Sequence, residues 1–203
     1  MNLNASRRFE DLKVMSFIDG SNLLIELSRF LDVPFRAEKP PDMAITLCRD
    51  LIYNTCGELG STRAIRHSWF ASIQGSGEGL KSYEGKLREA QLTPVIFPKS
   101  KGREKRVDIA LTTHLLVEAF SRNFDIGIVV TGDEDFISVV QEAKRYGAQI
   151  FGCFFDTSIN PDLKREFDRF FPIGANMTSK TREEYRKQLQ SDVAAANSTV
   201  AGK

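Results

Sequence analysis

The chain has 203 residues, a length that fits one large domain or two small ones and can bury about 70% of its unfolded surface. Hydrophobic residues make up 41% and charged residues 27% of the sequence, which argues against a disordered, collagen-like or coiled-coil chain. The formal net charge is +1, which excludes a globally basic nucleic-acid coat. Any nucleic acid must therefore be bound by a local basic cluster.

The cysteines and the N-terminus indicate a protein of a reducing compartment. Cys48, Cys56 and Cys153 are odd in number, lie in apolar surroundings and show no C-x-x-C spacing, which predicts buried thiols. The N-terminal residues carry charges without an apolar segment behind them, and the longest apolar runs are too short to span a membrane. We therefore expect a soluble cytoplasmic protein without a membrane partner.

Five short apolar runs rich in Val, Ile and Phe predict strands at 14–18, 64–71, 94–97, 126–130 and 149–155. Helical patterns, with apolar residues three and four positions apart, lie between these runs. Strands that alternate with helices predict one three-layer α/β/α domain with a mainly parallel central sheet. The fourth run, IGIVV, is apolar on both faces, so we expect it in the centre of the sheet beside the first run.

Two polar segments interrupt or limit this pattern. Residues 74–79, QGSGEG, predict a mobile loop because three of the six are glycine. Large apolar residues lose their regular spacing from residue 178 onward. We therefore expect a domain at 1–177 and a polar C-terminal tail at 178–203, flexible or helical only over a short stretch.

Aspartates follow two of the predicted strands. Asp19 comes after the first strand, Asp133 and Asp135 come after the fourth, and Asp108 opens the helix that follows the third. Ligands of an open parallel sheet bind outside the carboxyl ends of the strands, near the point where the strand order reverses. We therefore expect these four acids to share one pocket, with Asn22 orienting Asp19 or capping the first helix. Turn and helix-capping roles are the structural alternative for each aspartate.

Several carboxylates in one pocket require a neutralising partner. At an effective dielectric constant of about 20, each close pair costs on the order of 4 kcal/mol. Either a shared proton or a bound hard cation would relieve this repulsion. Zinc prefers His and Cys ligands, and the sequence has only 2 His and 3 Cys, so Mg²⁺ or Mn²⁺ is the expected cofactor.

A basic segment lies directly before Asp108. Its cationic residues within 98–106 are Lys99, Lys101, Arg103, Lys105 and Arg106. Beside an acidic metal site such residues predict a polyanionic substrate, because Lys and Arg bind the phosphates along a chain. Nucleic acid is therefore the expected substrate class, and a solvated loop is the structural alternative. The sequence has no aromatic stacking motif of the RRM type, so sequence-specific base recognition is not expected.

Several segments in fixed order resemble the NYN domain, in particular the LabA-like branch of the PIN-like nucleases. They are FIDGSNL (17–23), REKRVDIAL (103–111), VTGDEDF (130–136) and YGAQIFGCFF (146–155), followed by Ser158 and DRFFPI (168–173). The resemblance covers residues 14–173. It implies a PIN-like α/β/α fold and metal-dependent cleavage of RNA by an acidic cluster.

Carried over by position, the resemblance assigns the catalytic and metal-binding acids, namely Asp19, Asp108, Asp133 and Asp135. It also gives Asn22 a supporting role and makes Lys105 a basic substrate contact. Family members commonly carry an acid six residues after the position of Asp108, where this chain has His114. Six residues advance a helix by about 9 Å and turn it by about 240°, so His114 reaches only the margin of the pocket. A satisfied, partly buried histidine and a metal or phosphate contact are both left open.

The sequence therefore predicts an Mg²⁺- or Mn²⁺-dependent ribonuclease that attacks a phosphodiester of single-stranded RNA with a metal-activated water. Neither Ser21 nor Ser158 has a base partner, which argues against a serine nucleophile and leaves the role of Ser158 open. A noncatalytic RNA-binding or regulatory protein is the main alternative, and His114 supports it. Aspartyl-phosphate phosphohydrolase and metal-dependent adhesion motifs fit poorly, because Ser21 and Leu23 replace residues that those motifs require. The sequence leaves a homo-oligomer open.

Overall fold

The structure, a computed structural model, describes residues 12–56, 63–75, 77–99 and 106–201. Six strands form one parallel sheet in the order β3-β2-β1-β4-β5-β6. The strands are β1 (Lys13–Asp19), β2 (Arg63–Ile73), β3 (Thr93–Pro98), β4 (Ile126–Val130), β5 (Gln149–Phe154) and β6 (Arg169–Pro172). The helices are α1 (Gly20–Leu31), α2 (Asp42–Thr55), α3 (Gly77–Glu89), α4 (Arg106–Phe120), α5 (Ile137–Arg145), α6 (Pro161–Glu166) and α7 (Ser179–Ala201).

The predicted α/β/α architecture is confirmed, with β4 beside β1 in the centre of the sheet. All five residues of β4 are buried, as the run IGIVV predicts. Helix α2 contacts α1 and α3, and α5 contacts α4 and α6, so the helices form two groups. The two groups fit opposite faces of the sheet, because the chain moves in opposite directions from β1 and from β4 and crossovers between parallel strands are right-handed. The order of the strands therefore reverses between β1 and β4.

Strand β6 has no counterpart among the predicted strands. It has only four residues, and it lies at the edge of the sheet, where Arg169 is exposed and Phe170 is half-buried. Such a short segment with one buried residue lacks the apolar alternation by which strands are recognised in a sequence. The structure places it parallel to β5, with Phe151 opposite Arg169.

Helix α3 begins inside the segment predicted as a mobile loop. Gly77 and Gly79 lie in its first turn together with Glu78, whose negative charge is favourable at a helix N-terminus. Tyr83 and Leu87, four residues apart, are buried on the inner face of α3. Packing of these two side chains thus overrides the low helix propensity of glycine.

Residues 179–201 form one helix of 23 residues, whereas the sequence predicts a flexible tail or a short helix at 178–203. Helix α7 packs against α1 and α2. Its Leu189 is fully buried, its Arg186 lies 2.8 Å from Asp32, and its Asp192 accepts a 2.8 Å hydrogen bond from the Met43 N–H. Leu189 is flanked one turn away on each side by the partly buried Tyr185 and Val193, so the apolar face of this helix is short and gives a weak signal in a polar sequence.

The cysteines are buried and form no disulfide, as the sequence predicts. Burial raises the pKa of the Cys48 thiol far above its usual range. Within the described part of the chain, no helix combines the length and the apolar character needed to cross a membrane.

Candidate active site

A cleft of about 370 Å³ opens at the carboxyl edge of the sheet, beside the ends of β1 and β4. This is the point where the strand order reverses, and it is the usual ligand site of an open parallel sheet. The side chains at the cleft that carry charge or an amide are Asp19, Asn22, Glu38, Lys99, Asp108 and Asp133. The structure thus brings three of the four predicted aspartates to one cleft.

Asp19 is the last residue of β1, is only 5% exposed, and is also the N-cap of α1. One carboxylate oxygen, Oδ1, accepts a 3.0 Å hydrogen bond from the Asn22 N–H. The other oxygen, Oδ2, lies 3.4 Å from the hydroxyl of Thr131, which follows β4. These contacts fix the carboxylate at the junction of the two central strands.

The pKa of Asp19 is raised from 3.8 to about 7. Burial is the largest cause, because it penalises the charged form. The negative charges of Asp108 and Asp133 raise this pKa further, and the hydrogen bonds from Asn22 and Thr131 offset part of the shift. A carboxylate in this state gains from a cation that stabilises its ionised form.

Asn22 joins the two halves of the cleft. Its side-chain oxygen Oδ1 accepts a 3.0 Å hydrogen bond from the Gly132 N–H. The sequence left a choice between capping α1 and supporting Asp19, and in the structure the side chain that caps α1 is that of Asp19. Asn22 instead holds the segment after β4 beside the start of α1.

Two glycines permit the close approach of backbone and aromatic rings around the cleft. A Cβ atom on Gly20 would lie 2.2 Å from the Trp69 ring, and one on Gly132 would lie 2.4 Å from the Phe154 ring. Both distances are too short for any side chain. The glycines of DGSN and TGDED therefore let Asp19 and Asp133 sit directly above the packed core.

Asp133 lies at the cleft, but Asp135 does not belong to its lining. The Asp133 carboxylate accepts a 3.0 Å hydrogen bond from the Asp135 N–H and caps a short 3-10 turn at Glu134–Phe136. Asp135 is exposed, and its capping of the following helix, the structural alternative, is not observed. The backbone of Asp135 thus orients Asp133.

Asp108 and one residue of the basic segment, Lys99, also line the cleft. Helix α4 begins at Arg106, so Asp108 is in its first turn rather than at its start, and it is half-buried. Lys99 lines the cleft, whereas Arg106 does not. Three residues of the predicted basic cluster lie outside the described residues, namely Lys101, Arg103 and Lys105.

His114 and Ser158 do not line the cleft. The His114 ring is half-buried and packs edge-on against Phe70, with ring centroids 5.3 Å apart. The Ser158 hydroxyl lies 3.5 Å from the Phe155 carbonyl, within the turn after β5. Both positions suit packing roles.

Glu38, which lines the cleft, and Thr131, which is buried beneath it beside Asp19, were not identified from the sequence. Thr131 follows β4 within the VTGDEDF segment, so its position at the end of a strand could have indicated a place at the site. Glu38 lies in the loop between α1 and α2, where the sequence has no motif that separates it from other surface acids.

The donor set of the cleft suits a hard divalent cation, because three carboxylates supply only oxygen ligands. The negative charges of Asp108 and Asp133 also disfavour the ionised form of Asp19, and a bound cation would relieve this repulsion. Among the residues that the structure describes, however, no group of three or more His, Cys, Asp and Glu side chains is arranged to hold a metal ion. The fit therefore rests on donor chemistry and charge.

Comparison with known proteins places this geometry in a family. No curated protein matches the chain. A crystal structure of a protein of unknown function from Vibrio parahaemolyticus is similar in fold, with a TM-score of 0.60 and 16% sequence identity over 82% of this chain and 96% of that one. Residues 13–174 match the NYN domain. The chain therefore belongs to the NYN domain family of PIN-like nucleases.

Proposed function

We propose that this protein is a ribonuclease that hydrolyses phosphodiester bonds of single-stranded RNA at the acidic cleft, with Mg²⁺ or Mn²⁺ as cofactor. The observation that carries the proposal is the convergence of Asp19, Asp108 and Asp133, from three separate chain segments, on one cleft at the reversal of strand order. Membership of the NYN family supports an RNA substrate and nuclease chemistry.

The carboxylates of Asp19, Asp108 and Asp133 would hold the cation. A divalent cation in such a site supplies an activated water and neutralises charge on the phosphoryl group. Asp19, with a pKa of about 7, gives up its proton readily at neutral pH when a positive charge approaches. Asp135, exposed beyond the cleft, supports Asp133 through its backbone N–H.

The remaining polar groups position the acids and the substrate. The Asn22 N–H and the Thr131 hydroxyl fix the orientation of Asp19. Lys99 provides a positive charge within the same cleft, where it can bind a phosphate of the RNA chain. We place the protein in the cytoplasm, where its three buried free thiols fit reducing conditions.

The direct test is incubation of the purified protein with end-labelled single-stranded RNA, with Mg²⁺, with Mn²⁺ and with a chelator. We expect shortened products only with a divalent cation. The variant Asp133→Asn removes one carboxylate charge and should stop cleavage while circular dichroism stays unchanged. Cleavage by Asp133→Asn at the wild-type rate would contradict the proposed site.

A noncatalytic RNA-binding protein is the second candidate. It is favoured by His114 at the position of a common family acid and by the lack of a preformed three-ligand metal group among the described residues. Such a protein would retain RNA at low salt and leave its length unchanged with every cation. The cleavage assay above therefore separates the two candidates.

A further inference from the structure

The loop between α1 and α2 separates the acidic cleft from a second, larger groove. Glu38 and Ala37 line the acidic cleft, whereas Arg36 and Lys39, their neighbours in the chain, line a groove of about 780 Å³. The end of β2 divides in the same way, with Ser72 in the cleft and Gln74 in the groove. Residues 36–39 thus form a ridge between the two depressions.

One carboxylate oxygen on this ridge, that of Glu38, contacts two positively charged side chains. One of them lines the cleft (Lys99) and the other lines the groove (Arg36). Glu38 Oε1 accepts a 2.7 Å hydrogen bond from Arg36 Nη2 and lies 3.5 Å from Lys99 Nζ. Because both distances end at the same oxygen atom, Arg36 Nη2 and Lys99 Nζ lie close to each other. The Glu38 side chain is 18% exposed, whereas those of Arg36 and Lys99 are 66% and 41% exposed. Glu38 is thus covered by two cations that face solvent.

The backbone holds this arrangement against the sheet. The Gln74 N–H donates a 2.9 Å hydrogen bond to the Glu38 carbonyl, and the Lys99 N–H donates one of the same length to the Ile73 carbonyl. The Arg36 carbonyl accepts a hydrogen bond from the Lys39 N–H and so closes a tight turn. Both cations are therefore anchored at the carboxyl edge of β2.

Charge makes this cluster attractive to a phosphate chain. Two cations share one anion, so a single positive charge is left over beside the acidic cleft. The groove beyond the ridge adds Lys39 and Lys86 against Asp42 and Asp192, so the ridge and the groove together keep this one excess positive charge. An exposed ion pair contributes only about 0 to 1 kcal/mol to folding, so stability alone does not explain a cluster of three charged side chains at this place.

We propose that Arg36 and Lys99, positioned by Glu38, bind the RNA backbone next to the cleavage site and direct the chain from the acidic cleft across the ridge into the larger groove. This inference rests on the proposed function, because it takes RNA as the ligand of the cleft. Arg36 is then a substrate contact outside the basic segment at 98–106, and Glu38 is a positioning residue.

The test measures the affinity of the purified protein for a short fluorescent oligouridine RNA at several salt concentrations, with a chelator present so that no cleavage occurs. Arg36→Gln removes one positive charge and keeps a polar side chain next to Glu38. The matched control is Arg145→Gln, since Arg145 is 77% exposed and is paired with Glu142. It lies at the end of α5, near the amino ends of the strands and away from the cleft.

We expect Arg36→Gln to weaken binding and to lower the slope of log affinity against log salt by about 0.7, the value for one contact to a single strand. Arg145→Gln should match the wild type. Glu38→Gln keeps a side-chain oxygen that can accept from Arg36 and removes the competing negative charge, so it should bind at least as tightly as the wild type.

Equal slopes for Arg36→Gln and Arg145→Gln would overturn the inference, and the cleavage assay would still decide the proposed function. Failure of the wild-type protein to bind the oligouridine at low salt would overturn the inference together with its RNA premise. Circular dichroism of each variant verifies that the protein remains folded.

Discussion

Aspartates lie both at the amino ends of the strands, here called the amino edge of the sheet, and at their carboxyl ends, the carboxyl edge. The surroundings of these aspartates differ. At the amino edge, Asp168 precedes β6, accepts a 2.8 Å hydrogen bond from the Ile150 N–H and lies 2.9 Å from Lys144 Nζ. Asp125 precedes β4 and accepts a 2.8 Å hydrogen bond from the Lys13 N–H. At the carboxyl edge, the charged neighbours that shift the pKa of Asp19 are Asp108 and Asp133.

This difference separates structural acids from candidate functional ones. The amino-edge carboxylates bind backbone N–H groups and, for Asp168, a cation, so their negative charge stabilises the ends of strands. Asp19 is buried near like charges, which raises the free energy of its ionised form. Carboxylates in such surroundings occur at functional sites, where a proton or a metal ion compensates for the repulsion.

The largest expected effect is on cleavage. Asp19→Asn removes the most buried carboxylate of the cleft, and we expect the rate of RNA cleavage to fall on the order of 10²-fold or more. Asp168→Asn is the matched change at the amino edge, and its amide oxygen can still accept from the Ile150 N–H, so cleavage should stay at the wild-type rate. Single-turnover kinetics with Mg²⁺ would measure both variants. An equal loss of cleavage rate in Asp19→Asn and Asp168→Asn would show that the aspartates at the carboxyl ends of the strands have no special role in cleavage.

The pKa of Asp19 makes a second, thermodynamic prediction. Because this pKa rises from 3.8 to about 7 on folding, the native chain holds a proton that the unfolded chain releases between these values. The free energy of unfolding therefore falls as the pH rises from about 4 to about 7, by up to about 4 kcal/mol from this group. Urea unfolding in the presence of a chelator would measure it.

Asp19→Asn should lack this contribution, so its stability relative to the wild type should increase across the same pH range. Asp168→Asn provides the control, because it removes a carboxylate at the amino ends of the strands and leaves Asp19 in place. Parallel stability curves for the wild type and Asp19→Asn would show that the buried carboxylate keeps an ordinary pKa.

A smaller effect is expected at the amino edge. Asp168→Ala leaves the Ile150 N–H without its side-chain acceptor and Lys144 without its carboxylate partner. We expect a loss of about 1 to 2 kcal/mol in the free energy of unfolding, since both side chains of the pair are partly exposed. Cleavage by the folded variant should be unchanged. A cleavage defect without a loss of stability would give this edge a functional role.

The smallest effect is expected for His114. Its ring packs edge-on against Phe70 and does not line the cleft, so His114→Phe preserves an aromatic contact. We expect a change in cleavage rate of less than about 2-fold. A large loss in the rate, with the melting temperature unchanged, would instead make His114 a participant in substrate or metal binding.

The sequence predicts the parts of the fold that rest on apolar patterning. The five apolar runs and the central position of β4 follow from burial on both faces of a parallel sheet. The sequence does not predict strand β6 or the full length of helix α7, because few of their described residues are buried. These are Phe171 in β6 and Leu189 in α7, the latter with the partly buried Tyr185 and Val193 beside it. Elements held by sparse contacts leave a weak signal in a single sequence.

The sequence also predicts which acids meet, through the rule that strand ends share one edge. It places Asp19, Asp108 and Asp133 at the same cleft, but it does not separate them from Asp135, because the orientation of neighbouring side chains depends on the short turn that Asp133 caps. The Glu38 contact with Arg36 and Lys99 joins distant parts of the chain and depends on the path of a loop, which no local pattern encodes.

The most direct test of the acidic cleft as a cation site is calorimetric titration of metal-free protein with Mn²⁺. We expect binding by the wild type and by Asp168→Asn, and loss of that binding in Asp133→Asn. Identical Mn²⁺ binding by all three proteins, or no binding by the wild type, would show that the acidic cleft is not a cation site.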